Sequence, residues 1–331
     1  MTSDSYRDAP SLADGAPDDS AHLLAGMLRI RRFEDAVAGL FARNLVRGST
    51  HLCQGQEAVT VGVADALRPG DTMVCTYRGH GATIAQGVPL DACFGEILGR
   101  AHGLVGGRGG SMHFTDVERG ALGSNGIVGA HLPVAVGAAL ASSYRDDGGV
   151  HVAYFGDGST NIGTFHEALN LAAVWKLPVV FVLENNQYGE YSAIATTTPI
   201  TRLAERATSY GMPGWFVDGN DVVTMRAVAA EAADRARAGL GPTLVEADTY
   251  RHSGHSRSDP AKYRPAEEVA SWLARDPITQ LQDAMLRSDP GAQATIDRVT
   301  AEVSTEVDSA LDRALAWPEP DPAERFRDVY A

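Results

Sequence analysis

Apolar residues in this chain follow two rhythms. From Val150 to Phe155 and again from Pro178 to Leu183 they run almost unbroken over a few positions, the pattern of parallel strands buried on both faces. Between these runs Phe165, Ala168, Leu169, Ala172, Ala173 and Trp175 recur at helical spacing, and Pro178 forbids the helix from running further. Residues 150–188 therefore predict a βαβ unit. Its strands end in Gly156-Asp157-Gly158 and Glu184-Asn185-Asn186, which sets polar groups beyond the strand carboxyl ends, where α/β sheets gather ligands.

The patterning continues on both sides. Leu23, Met27, Ile30, Val37 and Leu40 form the apolar face of a helix that Asp19 or Ser20 can cap, and Arg31, Arg32, Glu34 and Asp35 read as its solvated face. A polar loop, VRGSTHLCQGQE at 46–57, precedes a helix stopped by Pro69-Gly70. Thr72 to Tyr77 predicts a strand that delivers Tyr77-Arg78-Gly79-His80-Gly81 at its carboxyl end. Residues 103–113 carry five glycines and read as a flexible connector, while 121–130 lead through small residues into a buried helix. Downstream come a helix at 204–210, a strand and turn at 214–221, a helix at 222–238 and a strand at 242–249. Helices at 266–315 are broken by Asp276-Pro277 and Asp289-Pro290-Gly291, and no internal repeat is visible. The expectation is an α/β protein, a parallel sheet flanked by helices over 20–263, after a disordered tail at 1–19. A helical C-terminal extension, 264–331, would pack on the same domain.

Composition narrows the function. A net charge of −14, from 28 basic and 42 acidic residues, argues against nucleic acid and anionic membrane as partners. Cys53, Cys75 and Cys93 make no zinc or redox spacing and fit reduced, buried thiols, hence a cytoplasmic protein. Residues 1–19 lack the basic start and apolar core of an export signal. The longest weakly polar stretch, Ile127 to Ala141, is too short to span a membrane and holds His131 and Pro133.

The chemistry of residues 150–188 has two readings. One is a dinucleotide site with Glu184 gripping a ribose, but the glycine fingerprint needs Gly at position 161, where Asn161 stands. The other starts from Asp157, which repels a bare pyrophosphate unless a cation lies between them. Magnesium takes about six oxygens at roughly 2.1 Å and shares them among carboxylate, phosphates and water. Asp157 offers the carboxylate and Asn186 a neutral amide oxygen.

G-D-G, 26 residues, then N-N resembles the thiamine diphosphate motif, in which the matching Asp, the second Asn and a carbonyl two residues later, here that of Tyr188, hold magnesium. From about Leu23 onward, RGSTHLCQGQE, TYRGHG, GGRGGSMH, SNGIVGA, GDGSTNIGTFHEALN, WKLP, ENNQYG and TYRHSGHSRSDP together resemble the α subunit of the E1 component of 2-oxo acid dehydrogenase complexes. Pyruvate dehydrogenase E1 is the nearest form and acetoin dehydrogenase E1 is close. The resemblance implies a thiamine diphosphate-binding fold and site residues to go with it. Asp157, Asn186 and Tyr188 would hold Mg2+. Gly158, Ser159, Tyr77 and Arg78 would hold the diphosphate, Arg251 would also bind the cofactor, and Gly126 and Val128 would face the aminopyrimidine. His51 would sit near the reacting carbonyl, and His255 in a loop closing over the site. His80, His113 and His166 lie within the motifs as supporting groups, and Ser256 matches a position phosphorylated in some relatives.

The resemblance also implies partners. The glutamate that activates the cofactor belongs to the family's β subunit, so an α2β2 heterotetramer is expected, inactive as α alone and passing its acyl group to a lipoyl-bearing E2. The substrate would be a 2-oxo acid or an acyloin. TYRGHG and YRHSGHSRSD favour pyruvate; GTFHEALN and the ending FRDVYA are shared with acetoin enzymes, and Gln54 and Ser49 depart from the bulkier loop of mitochondrial pyruvate enzymes. Two other classes stand beside this: a non-catalytic thiamine diphosphate-binding module, and an NAD-dependent dehydrogenase that would bind its nucleotide without magnesium.

Overall fold

The computed structural model describes residues 6–9 and 20–327. Its strands are β1 (Tyr6–Asp8), β2 (Thr72–Thr76), β3 (Ala121–Asn125), β4 (His151–Gly156), β5 (Val179–Asn185), the short β6 (Tyr188–Gly189) and β7 (Ser192–Ala193), β8 (Gly214–Asp218) and β9 (Thr243–Asp248). Strands β6 and β7 pair only with each other; the rest form one sheet in the order β1-β8-β9-β5-β4-β2-β3, every neighbour parallel.

Helices cover both faces, which is why the strands read as continuous apolar runs. They are α1 (Ser20–Ala42), α2 (Glu57–Asp65), α3 (His80–Ala85), α4 (Leu90–Ile97), α5 (His131–Arg145), α6 (Gly163–Val174), α7 (Ile194–Thr197), α8 (Val222–Arg237), α9 (Ala266–Leu273), α10 (Pro277–Ser288) and α11 (Gln293–Ala316). In β5, Val179, Phe181 and Leu183 turn to the core shared with α5 and α6. Val180 and Val182 turn to the opposite core, shared with α1, α2 and α8. The C-terminal helices join that second core: α11 lies along α1 and α4, burying Ile296, Val299, Val303 and Val307. Asp276, with Pro277 at the first helical position, caps α10 by accepting from the N–H of Ile278 and Thr279.

The topology creates the site. From β2 the chain steps outward to β3, then returns to the other side of β2 as β4 and proceeds to β5. Successive connections thus part at β2 and β4, leaving a crevice at their carboxyl ends.

Several sequence expectations change here. Tyr6–Asp8, expected in a disordered tail, forms an edge strand that pairs Tyr6 with Gly214 and lays the Arg7 guanidinium 4.2 Å from the Trp215 ring centre. The remaining tail residues, the Asp19 cap and the last four residues of FRDVYA lie outside the described residues. Glu34 is not solvated: it is 0% exposed, accepts from the Cys53 N–H at 2.8 Å and meets His80 Nδ1 at 3.0 Å. Arg31 turns inward to Glu57 and Asp276. Helix α5 is buried on one face only, with Val134 and Tyr144 exposed on the other.

The glycine-rich stretch is an ordered loop built on one carboxylate. Glu96, buried at the end of α4, accepts from the N–H groups of Val105 and Gly107 on Oε2 and of Gly109 and Gly110 on Oε1, at 2.7–2.9 Å. A stranded buried donor costs about 1–3 kcal/mol, and the loop is half open to water, so Glu96→Ala is expected to lower stability by roughly 3 kcal/mol. Urea unfolding midpoints of the two proteins measure it.

Candidate functional site

Five strand ends and one loop converge on a cavity of about 560 Å³. Strand β4 ends in the 3₁₀ turn Asp157–Asn161, which carries Asp157, Gly158 and Ser159 into it. Strand β5 delivers Asn186; Gln187 then takes a left-handed conformation, φ 75°, and turns the chain into Tyr188 of β6. A Cβ on Gly158 would meet the Gly189 Cα at 3.2 Å, so a side chain there crowds the turn against the β6–β7 hairpin. Tyr77 and Arg78 arrive from β2, Gly126 and Val128 from β3, Arg251 and His255 from β9, and His51 from the loop before α2. The twelve residues that the sequence assigns to the cofactor, the cation or the reacting carbonyl all line this one cavity.

Its charges are unusual for a protein interior. Arg78 and Arg251 are buried, yet among the described residues neither has a carboxylate within ion-pair distance. Arg78 instead donates to the carbonyls of Leu52, at 2.6 Å, and His255, at 2.8 Å. Arg251 donates to the Ser253 and Glu190 carbonyls and to the Tyr263 hydroxyl. Burial, followed by the repulsion of Arg78, pulls Arg251 down to about 10. In the same cavity Asp157 is 1% exposed and its Oδ2 has no hydrogen-bond partner. Burial raises the Asp157 carboxyl to about 7. Unpaired buried charges of both signs are costly unless a ligand completes them. A dianion bridged to the carboxylate by a divalent cation satisfies charges of both signs. Among the described residues no three His, Cys, Asp or Glu side chains form a metal cage of their own. The available oxygens are the Asp157 carboxylate, the Asn186 amide and backbone carbonyls, the donor set that magnesium shares with a phosphate.

The sequence model of the dehydrogenase E1 component family matches residues 25–323. This chain belongs to that family. It is 44% identical over 305 residues to the α subunit of the Bacillus subtilis acetoin:2,6-dichlorophenolindophenol oxidoreductase, covering 92% of this chain and 91% of that one. It is 39% identical over 320 residues to the pyruvate dehydrogenase E1 α subunit of Rhizobium meliloti, covering 96% and 92%. It is 43% identical over 305 residues to that of Zymomonas mobilis, covering 92% and 86%.

In this E1 component chain three aromatic side chains meet at the mouth of the crevice. The His51 ring centre lies 4.5 Å from that of Tyr77 and 4.9 Å from that of His255. Burial, then Arg78 and His255, push His51 down to about 3; burial, then Arg78 and Arg251, push His255 down to about 4. Both imidazoles are therefore neutral at pH 7 and can each donate one N–H; each also has a buried Nδ1 without a partner. The unfolded chain binds a proton on each histidine below its ordinary value of 6.5 and the folded chain does not. The neutral state's contribution is therefore full above pH 6.5 and lost as pH falls towards 3. His51→Asn is expected to reduce the acid-induced fall in melting temperature of the cofactor-free protein between pH 6.5 and 4; matched melting curves across that range test it.

Further residues line the cavity beyond those the sequence assigns to it, among them Gln56 and Met112, which stand inside motifs without an evident local role, and Glu184, which the sequence offers only as a ribose ligand. Gln54 and Ser49, which depart from the bulkier loop of mitochondrial pyruvate enzymes, do not line it. Gln54 joins Asp35 to Ser253 through hydrogen bonds of 2.6 Å and so braces the His255 loop. His80 closes a buried chain from Glu34 through Ser111 to Thr50, next to His51. The His113 ring backs Gly126, while His166 bonds the Tyr210 hydroxyl on the outside of α6. Ser256 is half-buried and bonds Ser258 at 3.1 Å. Cys53, Cys75 and Cys93 are free and buried, and among the described residues no helix is long and apolar enough to cross a membrane.

Proposed function

We propose that this chain is the α subunit of a 2-oxo acid dehydrogenase E1 component that holds thiamine diphosphate and Mg2+ in the 560 Å³ cavity and acts on pyruvate. The observation that carries the reading is one cavity holding two buried, carboxylate-free guanidiniums and the buried Asp157 oxygen without a partner, a site that a magnesium diphosphate completes. Asp157, the Asn186 amide oxygen and the Tyr188 carbonyl take the cation. Gly158, Ser159, Tyr77, Arg78 and Arg251 take the diphosphate, and the backbone of Gly126 and Val128 lies along the aminopyrimidine. The bound cofactor supplies an electron sink for the carbon left by decarboxylation. His51 and His255, neutral at the cavity mouth, donate hydrogen bonds to the substrate's carbonyl oxygen and carboxylate, where negative charge develops or is lost.

A β subunit completes the site with the carboxylate missing from this chain, in an α2β2 assembly, and a lipoyl-bearing E2 receives the acyl group. Ile127 and Val128 at the cavity rim, Val134 on α5 and Leu171, Val174 and Trp175 on the adjacent α6 are exposed apolar residues suited to that contact. Cytosolic residence fits the three buried free thiols. Acetoin cleavage is the second reading, favoured by the 44% identity to the Bacillus subtilis subunit. Tyr77, in van der Waals range of His51, favours a 2-oxo acid, since acetoin enzymes often have His there.

The deciding experiment titrates thiamine diphosphate calorimetrically into the chain co-expressed with its β partner, in magnesium and in chelator, then assays pyruvate, acetoin and branched 2-oxo acids with an artificial electron acceptor. Magnesium-dependent binding with pyruvate turnover is expected. Binding without turnover of any 2-oxo acid but with acetoin cleavage selects the second reading, and no binding in either buffer rejects both.

A further inference from the structure

Asn185 and Asn186 sit side by side at the end of β5 and face opposite ways. The Asn185 amide is committed to structure, donating to Glu246 Oε1 at 2.8 Å. Asn186 is 6% exposed, lines the cavity, and donates through Nδ2 to Gln56 Oε1 at 3.1 Å. Gln56, 1% exposed, donates in turn through Nε2 to Glu184 Oε1 at 3.1 Å. Glu184 is buried as well and ends the chain.

Hydrogen bonds in such a relay have a direction, and its terminus sets it. An ionised Glu184 only accepts, and in the structure Gln56 presents its NH2 to Glu184 and its oxygen to Asn186, the orientation that terminus selects. Asn186 must then present its NH2 to Gln56, which turns its own oxygen the other way. That oxygen accepts only a long bond, 3.3 Å, from the Tyr188 N–H and keeps a lone pair for the cavity. A hard cation takes amide oxygen and is repelled by the amide NH2, so an Asn flip would close the site.

Resting on the assignment of Asn186 to magnesium, we propose that Gln56 and Glu184 are positioning residues that fix the Asn186 amide with its oxygen towards the cation. Neither touches the metal. Their effect is on how often Asn186 offers the correct atom.

Glu184→Gln keeps size and shape but replaces the fixed terminus by an amide that satisfies the relay in either direction. Gln56→Leu removes the relay. Loss of such outer partners typically weakens metal binding about 10–100-fold, and that is the expected rise in the magnesium Kd, measured calorimetrically at saturating thiamine diphosphate on the α/β assembly. Turnover should recover as magnesium is raised, and cofactor-free melting temperatures should match the unmodified protein. The double swap Gln56→Glu with Glu184→Gln moves the charge one step yet leaves Asn186 facing an acceptor, so it should restore the magnesium Kd. Single variants that bind magnesium like the unmodified protein overturn the proposal, as does a swap that stays weak, or a loss that follows a lowered cofactor-free melting temperature. Absence of magnesium dependence in the unmodified assembly is a separate result, which removes the magnesium reading itself.

Discussion

Asp157→Ala is expected to weaken magnesium-dependent thiamine diphosphate binding by more than ~100-fold, beyond what loss of an outer-shell partner costs, in a chain that folds normally. The two halves of this outcome have one cause. Asp157 is a buried carboxylate of the cavity whose Oδ2 bonds to nothing in the protein and whose other protein partners are backbone N–H groups of its own turn, so its removal breaks no contact to another element and opens only a small space at the end of β4. Bound ligand loses the single anionic oxygen donor among the proposed cation ligands. Calorimetry in magnesium, with circular dichroism and melting curves of the cofactor-free variant as the folding control, reads both halves. Tight, chelator-sensitive binding by the variant would contradict the assignment of the cation.

Arg78→Lys is expected to lower kcat/KM by roughly 100-fold, the scale on which small misplacements of reacting groups act. The charge survives this change and the geometry does not. The Arg78 guanidinium spans two loops, reaching the Leu52 carbonyl with Nη1 and the His255 carbonyl with Nη2 at 2.6 and 2.8 Å. Those carbonyls belong to His255 itself and to the neighbour of His51. An ammonium on a flexible stem cannot hold both in a fixed fork. Each histidine then drifts relative to the other, and the 4.9 Å ring contact between them loosens. Steady-state kinetics with the preferred substrate, with the cofactor Kd measured in parallel, separates lost positioning from lost affinity. A Lys variant with unchanged kcat/KM would reduce Arg78 to a counter-charge.

What was legible in the sequence was the part set by local spacing. The β4–α6–β5 unit could be read because a strand buried on both faces must be apolar at every position, and a helix lying on it must repeat near 3.6 residues. The polar residues at its ends stood out against that background. Asp157 and Asn186 could be named from the one unit, and Tyr188 and the other loops from the resemblance their motifs carry. Strand β3 was missed because Ala121-Leu122-Gly123-Ser124-Asn125 has neither the length nor the branched side chains of a central strand; pairing on β2 at the sheet's edge makes it one. Strand β1 needs the groove beside β8 to be a strand at all.

Charge placement was decided only by the tertiary structure. Glu34 looked like a surface residue because its neighbours Arg32 and Asp35 are polar; it is buried because His80, 46 residues on, packs against it. Glu96 gave no local sign that four backbone N–H groups of a later loop would converge on it. Gln56 and Asn186 are 130 residues apart, and their hydrogen bond exists only because α2 begins and β5 ends at the same crevice. Periodicity along a chain fixes which faces are buried, since each residue carries its own hydrophobicity. Which donor meets which acceptor depends on the positions of both, and distant partners acquire those positions only when the sheet and its helices have packed.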